Sequence, residues 1–262
     1  MSAPLWLNRK DLGISLGKGL PFVTERRATF KQALIFCGYY RQMGIAELLL
    51  SAQPERLFEN LSKSARAFAF YLEAAPHEHQ ATSRAEPFFD AVACVDVPAA
   101  RSIAKGSRAT WNPDEEYEED FLYMRLLMDG FVLDAERAHL DQLLARFEQV
   151  LVGGDPDVRL ELCRALVQGD QKLFDESLER MLGEHRRKIE RKLGAGHASP
   201  NAAATVHHLW VELLALLRFA QQSKLKVARN YPFAPSTARR TEPLPTPAPD
   251  AWRDIPSYLE LE

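Results

Sequence analysis

The chain has 262 residues, a mass of 29.7 kDa and an apolar share of 46%, which is typical of a folded globular protein and excludes wholesale disorder. Its 33 basic and 36 acidic side chains give a net charge of −3, which excludes a generally basic nucleic-acid-binding protein. At roughly 150 residues per domain, the length allows one large domain or two small ones.

The first 23 residues are predicted to be a loop segment. Glycines occur there at positions 13, 17 and 19, without the GxxxxGK[ST] order of a phosphate-binding loop. The segment also lacks the basic and apolar stretches of a secretory signal. The most apolar window of the chain, Leu209–Leu217, is short and contains Glu212, so no membrane span is predicted. Cys37, Cys94 and Cys163 are far apart, which favours reduced core thiols. We therefore expect a cytoplasmic protein.

Helical periodicity predicts an all-α domain over residues 24–231, formed by antiparallel amphipathic helices with no strand. Thr24, Asn112 and Asp134 are expected to begin helices, and Gly153 and Gly169 to end them. The predicted helices cover residues 24–43, 54–75, 87–94, 98–105, 113–131, 134–151, 158–168, 170–190 and 200–227.

Residues 232–262 are predicted to form an extended tail, since they hold seven of the sixteen prolines. Two alternatives remain open for this tail. It is either disordered, or it is ordered through apolar side chains that anchor it on the helices. The candidate anchors are Trp252, Ile255, Tyr258 and Leu259.

No motif in the sequence indicates catalysis, a metal or a cofactor. His77 and His79 follow a predicted helix end, but the chain has no HExxH spacing, so they are interpreted as loop residues. His207 and His208 are adjacent on a predicted helix and point about 100° apart. His185 lies among cations near a helix end, where positive charge favours the helix dipole. No GxSxG nucleophile motif is present.

The unusual local feature is acidic: Asp114, Glu115, Glu116, Glu118, Glu119 and Asp120 surround Tyr117. We call residues 114–120 the acidic segment. Without it, the rest of the chain carries a net charge of +3. One interpretation is a solvated first helical turn favoured by the dipole, and the other is a docking surface for a basic partner. Trp111, Tyr117 and Tyr123 are candidate anchors for such a partner.

Several stretches resemble the immunity protein 49 family, over roughly residues 60–235. They are Glu86–Asp96, Tyr117–Tyr123, Leu162–Leu178 continuing through His185, Leu209–Phe219 and Lys226–Pro235. The resemblance implies a non-enzymatic antitoxin of a bacterial polymorphic toxin system. Such a protein binds and neutralises a cognate secreted toxin. No catalytic residue is implied.

We therefore expect stoichiometric binding of a protein toxin through the acidic segment, with no nucleic acid, membrane, metal or cofactor as partner. The alternatives are a helical scaffold for another cytoplasmic protein and, third, an enzyme whose site is assembled only in three dimensions. The sequence does not indicate an oligomeric state.

Overall fold

The computed structural model describes residues 5–75, 80–154, 156–196, 199–239 and 247–255. Within these ranges it contains eleven α-helices and no strand, so the predicted all-α fold class is confirmed. The helices are α1 (Leu5–Thr24), α2 (Phe30–Ser51), α3 (Pro54–Leu72), α4 (Pro87–Ala93), α5 (Val97–Gly106), α6 (Glu118–Phe131), α7 (Arg137–Val150), α8 (Val158–Gln168), α9 (Gln171–Gly194), α10 (Pro200–Ala204) and α11 (Val211–Gln222).

Most helices pack against the helices next to them in sequence, and most of the connecting segments are short. Helix α2 lies between α1 and α3, and α3 also contacts α4 and α5. Helix α11 returns to pack on α4, while α6 contacts both α7 and α8, and α8 contacts α9. A continuous apolar cluster extends through all these layers, from Leu12 in α1 to Trp252 near the end of the chain.

The prediction of a loop over residues 1–23 is wrong for residues 5–23, which belong to α1. Leu12, Leu16 and Val23 lie on one side of this helix and are buried. Gly19 allows close packing, since a Cβ atom there would lie 2.8 Å from Cδ2 of Phe36 in α2. Burial of the apolar face thus outweighs the low helix propensity of glycine.

Three helices begin later than predicted. Arg26 has a φ of 58°, and α2 begins at Phe30 behind a capping box in which Thr29 and Gln32 bond reciprocally. The predicted start at Thr24 is therefore wrong. Asp134, also predicted to begin a helix, has a φ of 55°, and α7 starts three residues later, at Arg137. The third is α6, which begins at Glu118 and not at residue 113.

The long helix predicted over residues 200–227 is interrupted. Thr205 leaves the helical region, with φ −127° and ψ −84°. The Trp210 amide then donates to the carbonyl of Phe233 at 2.9 Å and not to a carbonyl one turn earlier. Helices α10 and α11 are thereby separated by a turn that holds His207 and His208.

The C-terminal region is ordered where it is described. Trp252 is 1% exposed and packs against Phe36 and Phe70, and Tyr40 donates its hydroxyl hydrogen to the Trp252 carbonyl at 2.5 Å. Residues 236–238 and 251–253 form short 3-10 turns, and Ile255 packs on the core. Residues 240–246 and the predicted anchors Tyr258 and Leu259 lie outside the described residues.

Candidate partner-binding site

The acidic segment does not begin a helix at Pro113 as predicted. Asn112 instead organises a single turn, accepting the Asp114 amide on its side chain at 3.2 Å and the Glu115 amide on its carbonyl at 3.1 Å. Helix α6 starts only at Glu118, with Tyr117 as N-cap residue and no side-chain cap. The segment is therefore a loop followed by one helical turn.

Glu116 separates the loop from the helix because its side chain turns inward. It is 9% exposed, and its carboxylate accepts the Ser83 amide at 2.6 Å. The Trp111 indole N–H donates to the Glu116 carbonyl at 2.9 Å. The first bond fastens the loop to the 3-10 turn at residues 82–84, and the second closes the loop on itself. Glu116 and Trp111 thus shape the loop, and Glu116 presents little surface to a partner.

Two further carboxylates of the segment are paired with arginines. Glu118 makes a two-pronged bond with Arg146 of α7, at 2.7 and 2.8 Å. Asp120 accepts from Arg159 of α8 at 2.6 Å, and Arg159 also binds Asp157. Their charges are largely balanced within the chain.

The remaining members of the segment face outward. Asp114 and Glu115 are exposed, Glu119 is partly exposed, and Tyr117 has 75% of its surface accessible. Tyr123, in contrast, is 3% exposed, so its prediction as a partner anchor is wrong. The structure thus brings three outward carboxylates and one aromatic ring together at the N-terminus of α6.

A groove lies next to the acidic segment, between the C-terminal half of α9 and the residues that lead into α11. Arg159, which binds Asp120 of the acidic segment, lines this groove. Half-buried Glu212 lines it too. It accepts from the Tyr123 hydroxyl at 2.7 Å and from the Trp210 indole at 3.2 Å. Burial raises the pKa of Glu212, although these two hydrogen bonds act in the opposite direction. The groove contains two adjoining cavities of about 580 and 300 Å³.

His185 of α9 forms the aromatic part of the groove wall. Its ring stacks on Trp210 with centroids 3.8 Å apart and planes inclined by 6°, and it meets Phe233 edge-on at 5.1 Å. Burial, together with the charges of Lys188, His207 and Lys192, lowers the pKa of His185 to about 4. The imidazole is therefore neutral near pH 7, and its role is packing beside cations.

The other predicted candidates do not assemble into a reactive centre in the parts of the chain described. No group of three or more metal-binding side chains occurs there. His77 and His79 fall outside the described residues. Cys37, Cys94 and Cys163 are free, and burial raises the pKa of each thiol. Among the described helices, none combines the length and apolarity needed to cross a bilayer.

The fold and surface define an all-helical protein whose candidate site consists of two neighbouring charged surface features. Residues 42–238 match the family model of immunity protein 49. The chain belongs to the immunity protein 49 family, since the match covers more than half of its length. The matched region begins within α2 and excludes α1. No curated protein and no solved structure gives a significant match.

Proposed function

We propose that this chain is an immunity protein that neutralises a cognate secreted toxin by binding it one to one. Membership of the immunity protein 49 family over residues 42–238 is the observation that carries the proposal. Neutralisation by binding requires a shaped surface and no chemical step. The protein is then expected to act in the cytoplasm as an antitoxin in competition between bacteria, within a polymorphic toxin system.

The acidic segment is our proposed contact for a basic toxin surface. The helix dipole favours carboxylates in the first turn of α6, which begins at Glu118, but this effect decays within one turn. Asp114 and Glu115 precede that turn, so the dipole does not account for them. Their exposure, together with that of Glu119 and Tyr117, supports a role in docking.

Charge reversal at Asp114, Glu115 and Glu119 to Lys tests this contact. We expect association with the toxin to slow roughly 10-fold at low salt, and its salt dependence to flatten, because steering charges act mainly on the association rate. Stopped-flow or surface-plasmon measurements at several salt concentrations would report both effects. Glu116 is left unchanged because it holds the loop.

A matched control reverses three dispersed carboxylates, Asp11, Asp141 and Glu179, on three different helices. This variant has the same net charge as the first, so a local effect is separated from a global one. Equal association rates for the two variants at every salt concentration would remove the acidic segment from the interface.

A further inference from the structure

The C-terminal half of α9 carries a stripe of cations that the fold itself does not use. Arg187, Lys188, Arg191 and Lys192 are all exposed, and none has an ion pair within the described residues. Most other arginines among the described residues bind a carboxylate, a carbonyl or an aromatic face. At 100° per residue, the four cations occupy a sector of about 140° on the helix. Arg186 lies outside this sector.

The stripe faces the groove between α9 and the residues that lead into α11. Arg187, Lys188 and Arg191 line its larger cavity, and Lys188 and Lys192 line the smaller one. The two cavities together are lined by six cationic and four carboxylate side chains, so positive charge is in excess. Among the carboxylates, Asp157 is paired with Arg159, and Glu212 accepts hydrogen bonds from Tyr123 and Trp210. Stabilisation of the helix dipole explains cations in the last turn but does not require them to line a cavity. The positions therefore indicate a ligand of negative charge.

The groove favours carboxylates over the phosphates of a nucleic acid. Binding of single strands generally needs free aromatic faces on which bases stack. Here His185 and Trp210 stack on each other, and Phe233 contacts the edge of the pair.

The spacing of the cations matches an extended peptide. Arg187 and Arg191 are one helical turn apart, as are Lys188 and Lys192, which corresponds to about 6 Å along the axis. Alternate side chains of an extended peptide are about 6.6 Å apart. A peptide with an acidic residue at every second position can therefore place successive carboxylates opposite successive cations.

We propose that this groove is a second docking site, one that binds a carboxylate-rich extended segment of a protein partner. The site is distinct from the acidic segment and has the opposite charge. It does not depend on whether the acidic segment contacts a toxin, so the two proposals can fail independently.

A fluorescently labelled decapeptide of alternating Glu and Ser tests the site in the full-length protein. Fluorescence anisotropy should show binding at 50 mM NaCl that weakens several-fold at 200 mM, and no binding of the Gln version. The K188E/K192E variant should bind the acidic peptide at least 10-fold more weakly. The control variant K172E/R186E has the same charge change on the same helix, outside the stripe, and should bind like the parent. Circular dichroism establishes that both variants are folded.

Three results would overturn the proposal. The first is no binding of the acidic peptide by the parent protein at 50 mM NaCl. The second is an equal loss of binding in the two variants, which would indicate general charge attraction. The third is tighter binding of a single-stranded DNA of equal charge that K188E/K192E abolishes, which would assign the groove to nucleic acid.

Discussion

At the residue scale, the carboxylate of Asp90 joins three helices. Asp90 of α4 is fully buried and accepts two hydrogen bonds from Arg41 of α2, at 2.6 and 2.9 Å. It also accepts from the Ser64 hydroxyl of α3 at 2.5 Å. This buried ion pair holds α2, α3 and α4 in one relative arrangement. Removal of one member leaves the charge of the other uncompensated.

We therefore expect Asp90→Ala to lower the free energy of unfolding by about 3 kcal/mol, since the mostly buried Arg41 would lose its paired counter-charge. Urea denaturation followed by circular dichroism measures the change. The control is Asp141→Ala, which removes the exposed partner of Arg137 and should cost less than about 0.5 kcal/mol. Similar losses for the two variants would contradict the structural role of Asp90.

His185 predicts a pH dependence of stability. Its pKa is about 4 in the folded protein, against an ordinary value of 6.5. Between these values the unfolded chain binds a proton that the folded chain does not, so stability falls as the pH drops from about 6.5 to 4. Glu212 acts in the opposite sense, because its raised pKa favours the folded state on acidification.

The His185→Gln variant should lose less stability than the parent between pH 7 and pH 5, measured as the shift of the urea midpoint. In Glu212→Gln, which removes the opposing contribution, the loss should be larger than in the parent. Identical midpoint shifts in all three proteins would show that neither group titrates as the groove geometry implies.

At the element scale, local sequence predicted the existence of most helices but not several of their ends. The break at Gly169 and Asp170 is predicted correctly from the residue types. The glycine ends α8 with a φ of 70°, and the aspartate caps α9. The start of α6 cannot be predicted from local sequence, since it depends on the contact between Glu116 and Ser83, 33 residues earlier in the chain. Helix α1 was missed because its stability comes from packing on α2.

The beginning of α2 provides a direct test of a corrected boundary. Thr29→Ala should destabilise the protein by about 1 kcal/mol, because it removes the side chain that accepts the Gln32 amide in the capping box. Thermal or urea unfolding reports the change. Thr24→Ala should be nearly neutral, since Thr24 ends α1 and bonds only within it. A larger effect at Thr24 would restore the boundary predicted from sequence.

At the scale of the whole molecule, residues far apart in sequence complete one core. Trp252 fills a space between α2 and α3, more than 180 residues away along the chain. The sequence indicated that Trp252 could anchor the tail but could not choose between order and disorder. Similarly, it located the acidic segment but not the cationic groove. That groove is formed where the residues between α10 and α11 place Trp210 against His185 of α9.

Replacement of Trp252 by Ala should cost about 3–5 kcal/mol, as expected for a large buried aromatic side chain. The matched control is Trp6→Ala, at a side chain that is 62% exposed, which should change stability by less than about 0.5 kcal/mol. Equilibrium unfolding of both variants measures the difference. Equal stability of the two would place the 247–255 segment outside the core.

The measurement that tests the central claim most directly is a titration of toxin activity with this protein. Candidate toxins are the secreted modular proteins encoded near the gene for this chain, and the readout is survival on co-expression together with the activity of the purified toxin. Neutralisation by binding predicts that inhibition is complete at one antitoxin per toxin and that the two proteins form a stable complex. Protection at far below one antitoxin per toxin would indicate catalytic turnover, and no protection at any ratio would contradict the proposed function altogether.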